Sequence, residues 1–248
     1  GNQSYTKKLI LIEYDHIPTQ TIAMPSESKV VKIDLKKAGE KVAYIMGAGD
    51  KVPESLEQVG YQVDLLKDKD ISDENLKQYD AVIVGIRAYN TNERMKFHQP
   101  KLMEYVKNGG TLINQYQTTW GLKIPMEEIA PFPMKISRER VAVEEAEVRF
   151  LQPNHEILNY PNKITHADFD NWVQERGLYF ANEWDEAFVP ILSANDPGEP
   201  ARDGGMLVAK YGKGYYIYSG YSWFRELPAG VPGAYRLFTN MISIGKNK

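Results

Sequence analysis

Four short apolar runs separated by helical stretches constrain this chain more than any other feature. Residues 42–46 (VAYIM), 61–66 (YQVDLL), 80–85 (DAVIVG) and 111–115 (TLINQ) all have strand length. Between them lie helix signals. Pro53 suits a first helical turn, Leu56 and Val59 supply an apolar face, and Gly60 ends it. A short helix is predicted over 73–77. A firmer one is predicted from Pro100, with Leu102, Met103 and Val106 on one side and a stop at Asn108-Gly109. A continuous apolar run such as 80–85 suits a central parallel strand, which is buried on both faces. Strands alternating with helices in this way predict βαβ units and an open, mostly parallel α/β sheet.

Beyond Tyr116 the rhythm loosens. Pro125, Pro131 and Pro133 punctuate a loop-rich insertion over about 117–200. Short strands are expected within 140–150, 177–180 and 188–192, with a helical turn near 167–172. Residues 206–211 and 215–221 flank Gly212-Lys213-Gly214 and predict a β-hairpin that extends the sheet. A last helix starts at Pro232, carries Ala234, Leu237, Phe238 and Met241 at helical spacing, and closes at Gly245. Residues 1–38 are read as a linker and edge strand left from a preceding domain. In that segment 8–14 is strand-like, 16–28 is polar and proline-containing, and 30–35 alternates weakly. Residues 39–248 then form the α/β domain. The chain opens on Gly1 rather than Met, which is read as a cloning remnant on a piece of a longer precursor.

Composition closes several routes. The sequence of 248 residues holds no cysteine. Disulfides, thiolate metal sites and cysteine nucleophiles are therefore outside this chain's chemistry. A formal charge of −3, with Lys and Arg scattered, offers nucleic acid no general attraction. No apolar run approaches the roughly 20 residues that span a bilayer. No cofactor is expected.

Each candidate motif has a structural alternative. Gly47-Ala48-Gly49-Asp50 sits where phosphate loops sit, after a strand and before a helix. It lacks a third glycine and a Gly-Lys-Ser/Thr, and Asp50 would repel phosphate, so a tight turn is favoured. His166, Asp168 and Asp170 share a face only on a strand, and His16, His98 and His155 stand apart, so solvated or capping roles outweigh a metal site. No G-x-S-x-G is present. The strongest constellation is positional, because open parallel sheets bind ligands outside the carboxyl ends of their strands. Those ends carry Asp50, then Arg87, Tyr89 and Asn90, then Asn114, Gln115 and Gln117. Tyr221, Trp223 and Arg225 follow the hairpin and could reach the same rim. Aromatic faces, amides and a fixed cation suit a sugar or other polyol. The alternative is that these groups bond loop backbones or fill an interface.

Several long stretches resemble the C-terminal region of large bacterial PIG-L (LmbE-like) deacetylases of the Bacteroidetes type. They are HIPTQT (16–21), YIMGAGDKVPESLEQVGYQV (44–63), YDAVIVGIRAYNTNER (79–94), ISRERVAVEEAEVRFLQPNHEILN (136–159), WVQERGLYFANEWD (172–185) and the segment from NDPGEPARDGG through GKGYYIYSGYSWFRELPAGVPGAYRLF. The zinc-dependent N-deacetylase of that family is marked by His-Pro-Asp-Asp, which this sequence lacks. The resemblance therefore implies a companion of a catalytic deacetylase domain, periplasmic or extracellular, helping to hold a glycan-type substrate. The outline is also similar to class I glutamine amidotransferase-like and ThuA-like domains, which implies a three-layer, flavodoxin-like sandwich. Those enzymes place a cysteine on the turn after a sheet strand. Here that place, after 111–113, holds Asn114-Gln115-Tyr116-Gln117, and an amide cannot form a thioester. No catalytic and no metal residues are assigned. A docking or homodimerising domain, or a hydrolase using carboxylates at Asp50 or within 195–203, are the alternatives.

Overall fold

The computed structural model describes residues 4–246; Gly1, read above as a remnant, lies outside them. The chain divides between Lys32 and Ile33 into two units. In the first, β1 (Lys7–Tyr14) pairs antiparallel with β2 (Ile17–Pro25). The expected edge strand thus joins a hairpin of its own, and the stretch 16–28, read as polar linker, supplies its other half. Ile17, Thr19, Thr21 and Ile22 are β-branched, and such side chains suit a strand better than a linker. Residues 33–38 belong to the second unit, earlier than the expected 38/39 boundary. There Lys36 N–H donates to Asn162 and Ala38 N–H to Ser243.

The second unit is built on β3 (Lys41–Ile45), α1 (Val52–Gln58), β4 (Gln62–Leu65), α2 (Asp73–Leu76), β5 (Ala81–Val84), α3 (Ala88–Thr91), α4 (Met95–Lys107) and β6 (Thr111–Gln115). The insertion contributes β7 (Met134–Val141), β8 (Val148–Phe150), β9 (Gly177–Trp184), β10 (Phe188–Pro190) and β11 (Leu192–Ala194). The chain ends with β12 (Met206–Tyr211), β13 (Gly214–Ser219), α5 (Trp223–Glu226) and α6 (Pro232–Ser243). Among the described residues the large sheet has seven strands in the order β10-β12-β13-β6-β5-β3-β4. The five from β13 to β4 run parallel, and β12 and β10 add antiparallel at one edge. That parallel block has the flavodoxin-like order 2-1-3-4-5. The expected fold class is what the structure shows, including the extension by the hairpin.

Period-two burial makes the three layers. Val42, Tyr44, Ile83, Ile113 and Ile217 face one core, which α1 and α6 cover with Leu56, Leu237, Phe238 and Met241. Ala43, Ile45, Val82, Val84, Leu112, Tyr216 and Tyr218 face the other, which α4 covers with Leu102 and Val106. Helix α4 starts at Met95, not at Pro100, which lies inside it. Its interior proline forgoes one backbone donor. Burial of Met95, Leu102, Tyr105 and Val106 offsets that cost, and position-specific proline rules do not register such packing.

Gly47 is where the sheet closes at its topological switch between β3 and β5. Ala48 N–H donates to Ile86 O at 2.9 Å, and Gly85 N–H to Ile45 O at 2.9 Å. A Cβ on Gly47 would stand 2.1 Å from Ile86 O and 2.6 Å from Ala88 N. Gly47→Ala should therefore destabilise the domain by about 1–3 kcal/mol, as overpacking typically does, read as a lower urea midpoint at unchanged slope.

Candidate functional site

The carboxyl ends of β3, β5 and β6 carry the predicted polar residues, and most of them turn inward. Asp50 sits under the loop after β3. Tyr44 Oη donates to its carboxylate at 2.7 Å, Val52 N–H donates to it at 3.0 Å, and Gln115 Nε2 donates to Tyr44 Oη at 2.8 Å. Burial raises the Asp50 pKa above the ordinary carboxylate range, against the opposing pull of these donors. Asp50 therefore caps the start of α1 and anchors Tyr44 rather than facing a ligand.

Gln117 is the keystone of the rim. It is fully buried. Its Nε2 donates to Gln115 O at 2.8 Å and to Asn114 Oδ1 at 3.0 Å, and its Oε1 accepts Tyr89 N–H at 3.0 Å. Asn114 donates to Tyr216 Oη at 2.9 Å, and Tyr89 Oη to Gln99. Asn90 accepts Thr118 N–H at 3.0 Å and donates to Trp120 O at 2.9 Å. Tyr221 and Trp223 are buried too, with Trp223 Nε1 donating to Ser219 Oγ at 2.8 Å. The expectation that Tyr89, Asn114, Gln115, Gln117, Tyr221 and Trp223 line an open rim is corrected accordingly. Loop backbones and neighbouring side chains take up most of their polar atoms, as burial requires, while Gln115 Oε1 and Tyr221 Oη are buried without a hydrogen-bond partner.

The expected elbow after β6 is also relocated. Asn114 and Gln115 are still strand, and no helix follows them directly. The sharp strand-to-helix corner lies instead after β5, at Arg87, with φ +58° and ψ +21°. Arg87 N–H bonds Tyr116 O at 3.0 Å. Its guanidinium lies 5.8 Å from the Trp120 ring, and its Nε is buried without a hydrogen-bond partner.

At the β7–β9 ribbon opens a cleft that sequence reasoning missed. It has a volume of about 350 Å³ and is lined by Arg138, Arg140, Glu175, Leu178 and Tyr179. The β7–β9 ribbon makes it through irregular pairing: Ile136 faces Ala181, Glu139 faces Phe180 and Arg140 faces Leu178. Ser137 and Arg138 on one strand, and Tyr179 on the other, thus fall outside the ladder, and such bulges re-aim side chains. Tyr179 holds φ +56°, and its carbonyl accepts Tyr218 Oη. Its ring stacks on Tyr116 at 5.6 Å, and Tyr116 also meets Phe224 at 5.4 Å. Arg225 Nε pairs with Glu175 at 2.9 Å. Arg87 and Arg225 lie close enough to oppose, in part, the rise that burial imposes on the Tyr116 pKa. Of the predicted set, Arg225 reaches the lining of this cleft, through its ion pair with Glu175. The signal available in sequence was the spacing of Arg138 and Arg140, but a two-residue period shows nothing of a bulge.

Other candidates remain structural. Asp168 accepts Thr165 N–H at 2.8 Å and pairs with Arg236 at 2.7 Å. Asp196 accepts the N–H groups of Ala142 and Val143 at 3.0 and 2.8 Å. Among the described residues no group of three potential metal ligands comes together. Among the described residues no helix is long and apolar enough to cross a membrane.

Two outcomes are expected. Gln117→Leu leaves Tyr89 N–H and the Asn114 amide short of partners, and each such loss typically costs about 1–3 kcal/mol; thermal unfolding reads it. Glu226 is buried, accepts Val173 N–H at 3.0 Å, and burial lifts its pKa from 4.5 to about 8. Its carboxyl ionises earlier in the unfolded chain, so its contribution to stability falls as pH rises from about 4.5 to about 8 and is flat above. In Glu226→Gln that part of the urea-midpoint decline disappears.

No family model matches the chain, and no curated protein matches it. Solved structures do. A protein assigned as part of a GMP synthase from Thermoplasma acidophilum is 10% identical, with a TM-score of 0.52 over 84% of this chain and 95% of its own. A cytoplasmic protein of Salmonella typhimurium is 14% identical, with a TM-score of 0.52 over 96% and 94%. A ThuA-like protein of Bacteroides uniformis is 13% identical, with a TM-score of 0.47 over 88% and 96%. At such identities the first two likenesses establish the shared α/β fold, in agreement with the flavodoxin-like strand order above.

Proposed function

We propose that this chain is a non-catalytic module that holds a carbohydrate-type ligand for a PIG-L-like N-deacetylase domain, in a periplasmic or extracellular setting. The observation that carries it is the contrast at the strand ends. The amides that stand where a nucleophile would be needed are buried and donate to groups of the protein itself, and the chain has no thiol. The open polar and aromatic surface lies one step outward, in the cleft of Arg138, Arg140, Glu175 and Tyr179. Aromatic faces beside fixed donors and acceptors are what polyol recognition asks for. The resemblance of the sequence to deacetylase companion regions supports the choice of partner.

A docking or dimerising role is the second reading. Burial of Tyr89, Gln115 and Trp223, all three at or below 1% exposed, favours it over a ligand site at those residues. Carboxylate-based hydrolysis draws little support, because Asp50 and Asp196 are occupied by Tyr44 and by backbone N–H groups.

A glycan array followed by calorimetry on the isolated chain tests the proposal. Binding of a carbohydrate that weakens about tenfold or more in Tyr179→Gly, with unchanged affinity in Trp120→Ala outside the cleft, is the expected result. Glycine suits the positive φ of residue 179, so this variant removes the ring without straining the backbone. An empty array, together with a concentration-dependent dimer in sedimentation, would favour docking instead.

A further inference from the structure

The cleft at the β7–β9 ribbon has an unbalanced charge. Arg138 and Arg140 are exposed, and among the described residues neither makes an ion pair or a side-chain hydrogen bond. Glu139, between them, is turned away to Arg202 at 2.7 Å. Glu175 is the one acidic residue of the lining, and Arg225 occupies it. Two unpaired guanidiniums thus line a cleft whose single carboxylate is already paired, in a chain whose formal net charge is −3. A cleft with low-dielectric walls concentrates such a field on whatever enters.

We infer that this cleft binds an acidic sugar, with Arg138 and Arg140 receiving a ring carboxylate and Tyr179 flanking the sugar ring. The inference rests on the carbohydrate reading above and narrows its ligand class. A planar guanidinium presents two parallel N–H groups that match a carboxylate, whereas a neutral polyol would leave these cations unpaired. Nothing in the lining is a glycine-rich loop or the start of a long helix, the usual cradles of phosphate esters, so a sugar acid fits better than a nucleotide. Glu175, held by Arg225, remains an acceptor for ring hydroxyls. The double bulge of the β7–β9 ribbon and the positive φ of Tyr179 are the local departures from regular strand that place these groups on one wall.

Calorimetry of the whole chain with trigalacturonate, neutral maltotriose and a sulfated heparin tetrasaccharide tests this, at about 50 mM and about 500 mM salt. The expected result is trigalacturonate bound at least about tenfold more tightly than maltotriose, with the preference shrinking at high salt. Arg138→Ala with Arg140→Ala should abolish that preference without moving the melting temperature, since both side chains are exposed. Arg138→Lys with Arg140→Lys keeps the charge but not the fork, and should restore only part of it. Equal affinity for trigalacturonate and maltotriose overturns the acidic assignment while leaving the carbohydrate reading standing. No binding of any of the three overturns both. A preference for the heparin tetrasaccharide over trigalacturonate overturns the carboxylate assignment.

Discussion

The parallel pairing of β13 with β6 is the constraint on which the rest of the domain depends. Residues 215–219 lie alongside 111–115 in register, and Asn114 reaches across to Tyr216 Oη. Two parallel strands cannot be joined by a tight turn, so the chain between them must travel back. Here that crossover carries the whole loop-rich insertion. Its own strands return across the carboxyl end of β13: Leu178 N–H bonds Gly220 O at 2.9 Å, and Ser222 N–H bonds Arg176 O at 3.0 Å.

From that one pairing follow both the closure and the opening at the rim. The insertion brings Tyr179 over Tyr116, while Gln117 stitches the ends of β5 and β6 to the start of α3. Most polar groups that would face solvent in an open sheet are instead bonded internally. Unpaired guanidiniums stand farther out at Arg138 and Arg140, where the irregular β7–β9 ladder leaves space. A sheet of this order ordinarily offers its ligand crevice at the switch point between β3 and β5. Here backbone hydrogen bonds around Gly47 close that crevice.

The fold was largely legible. Continuous apolar runs such as 81–84 can satisfy only a strand covered on both faces, and the hairpin around Gly212 announced itself by turn chemistry. Legibility failed where two local rules competed. Pro100 looked like a helix start, yet buried residues on both sides of it extend α4 upstream. Residues 16–28 looked like a polar linker, yet they pair as a strand.

The sequence alone determined what chemistry is excluded and which segments are strands and helices. Absence of a thiol is a matter of composition, and periodicity of apolar residues is a local property of the chain. Only the tertiary structure decided which polar residues are spent on the protein itself and which are left unpaired. Arg87 and Gln117 read alike as polar strand-end residues, but one is half-buried with an unpartnered Nε and the other is sealed among four backbone and side-chain partners. That difference comes from long-range contacts and from bulges in an irregular ladder, and neither leaves a mark in residue spacing.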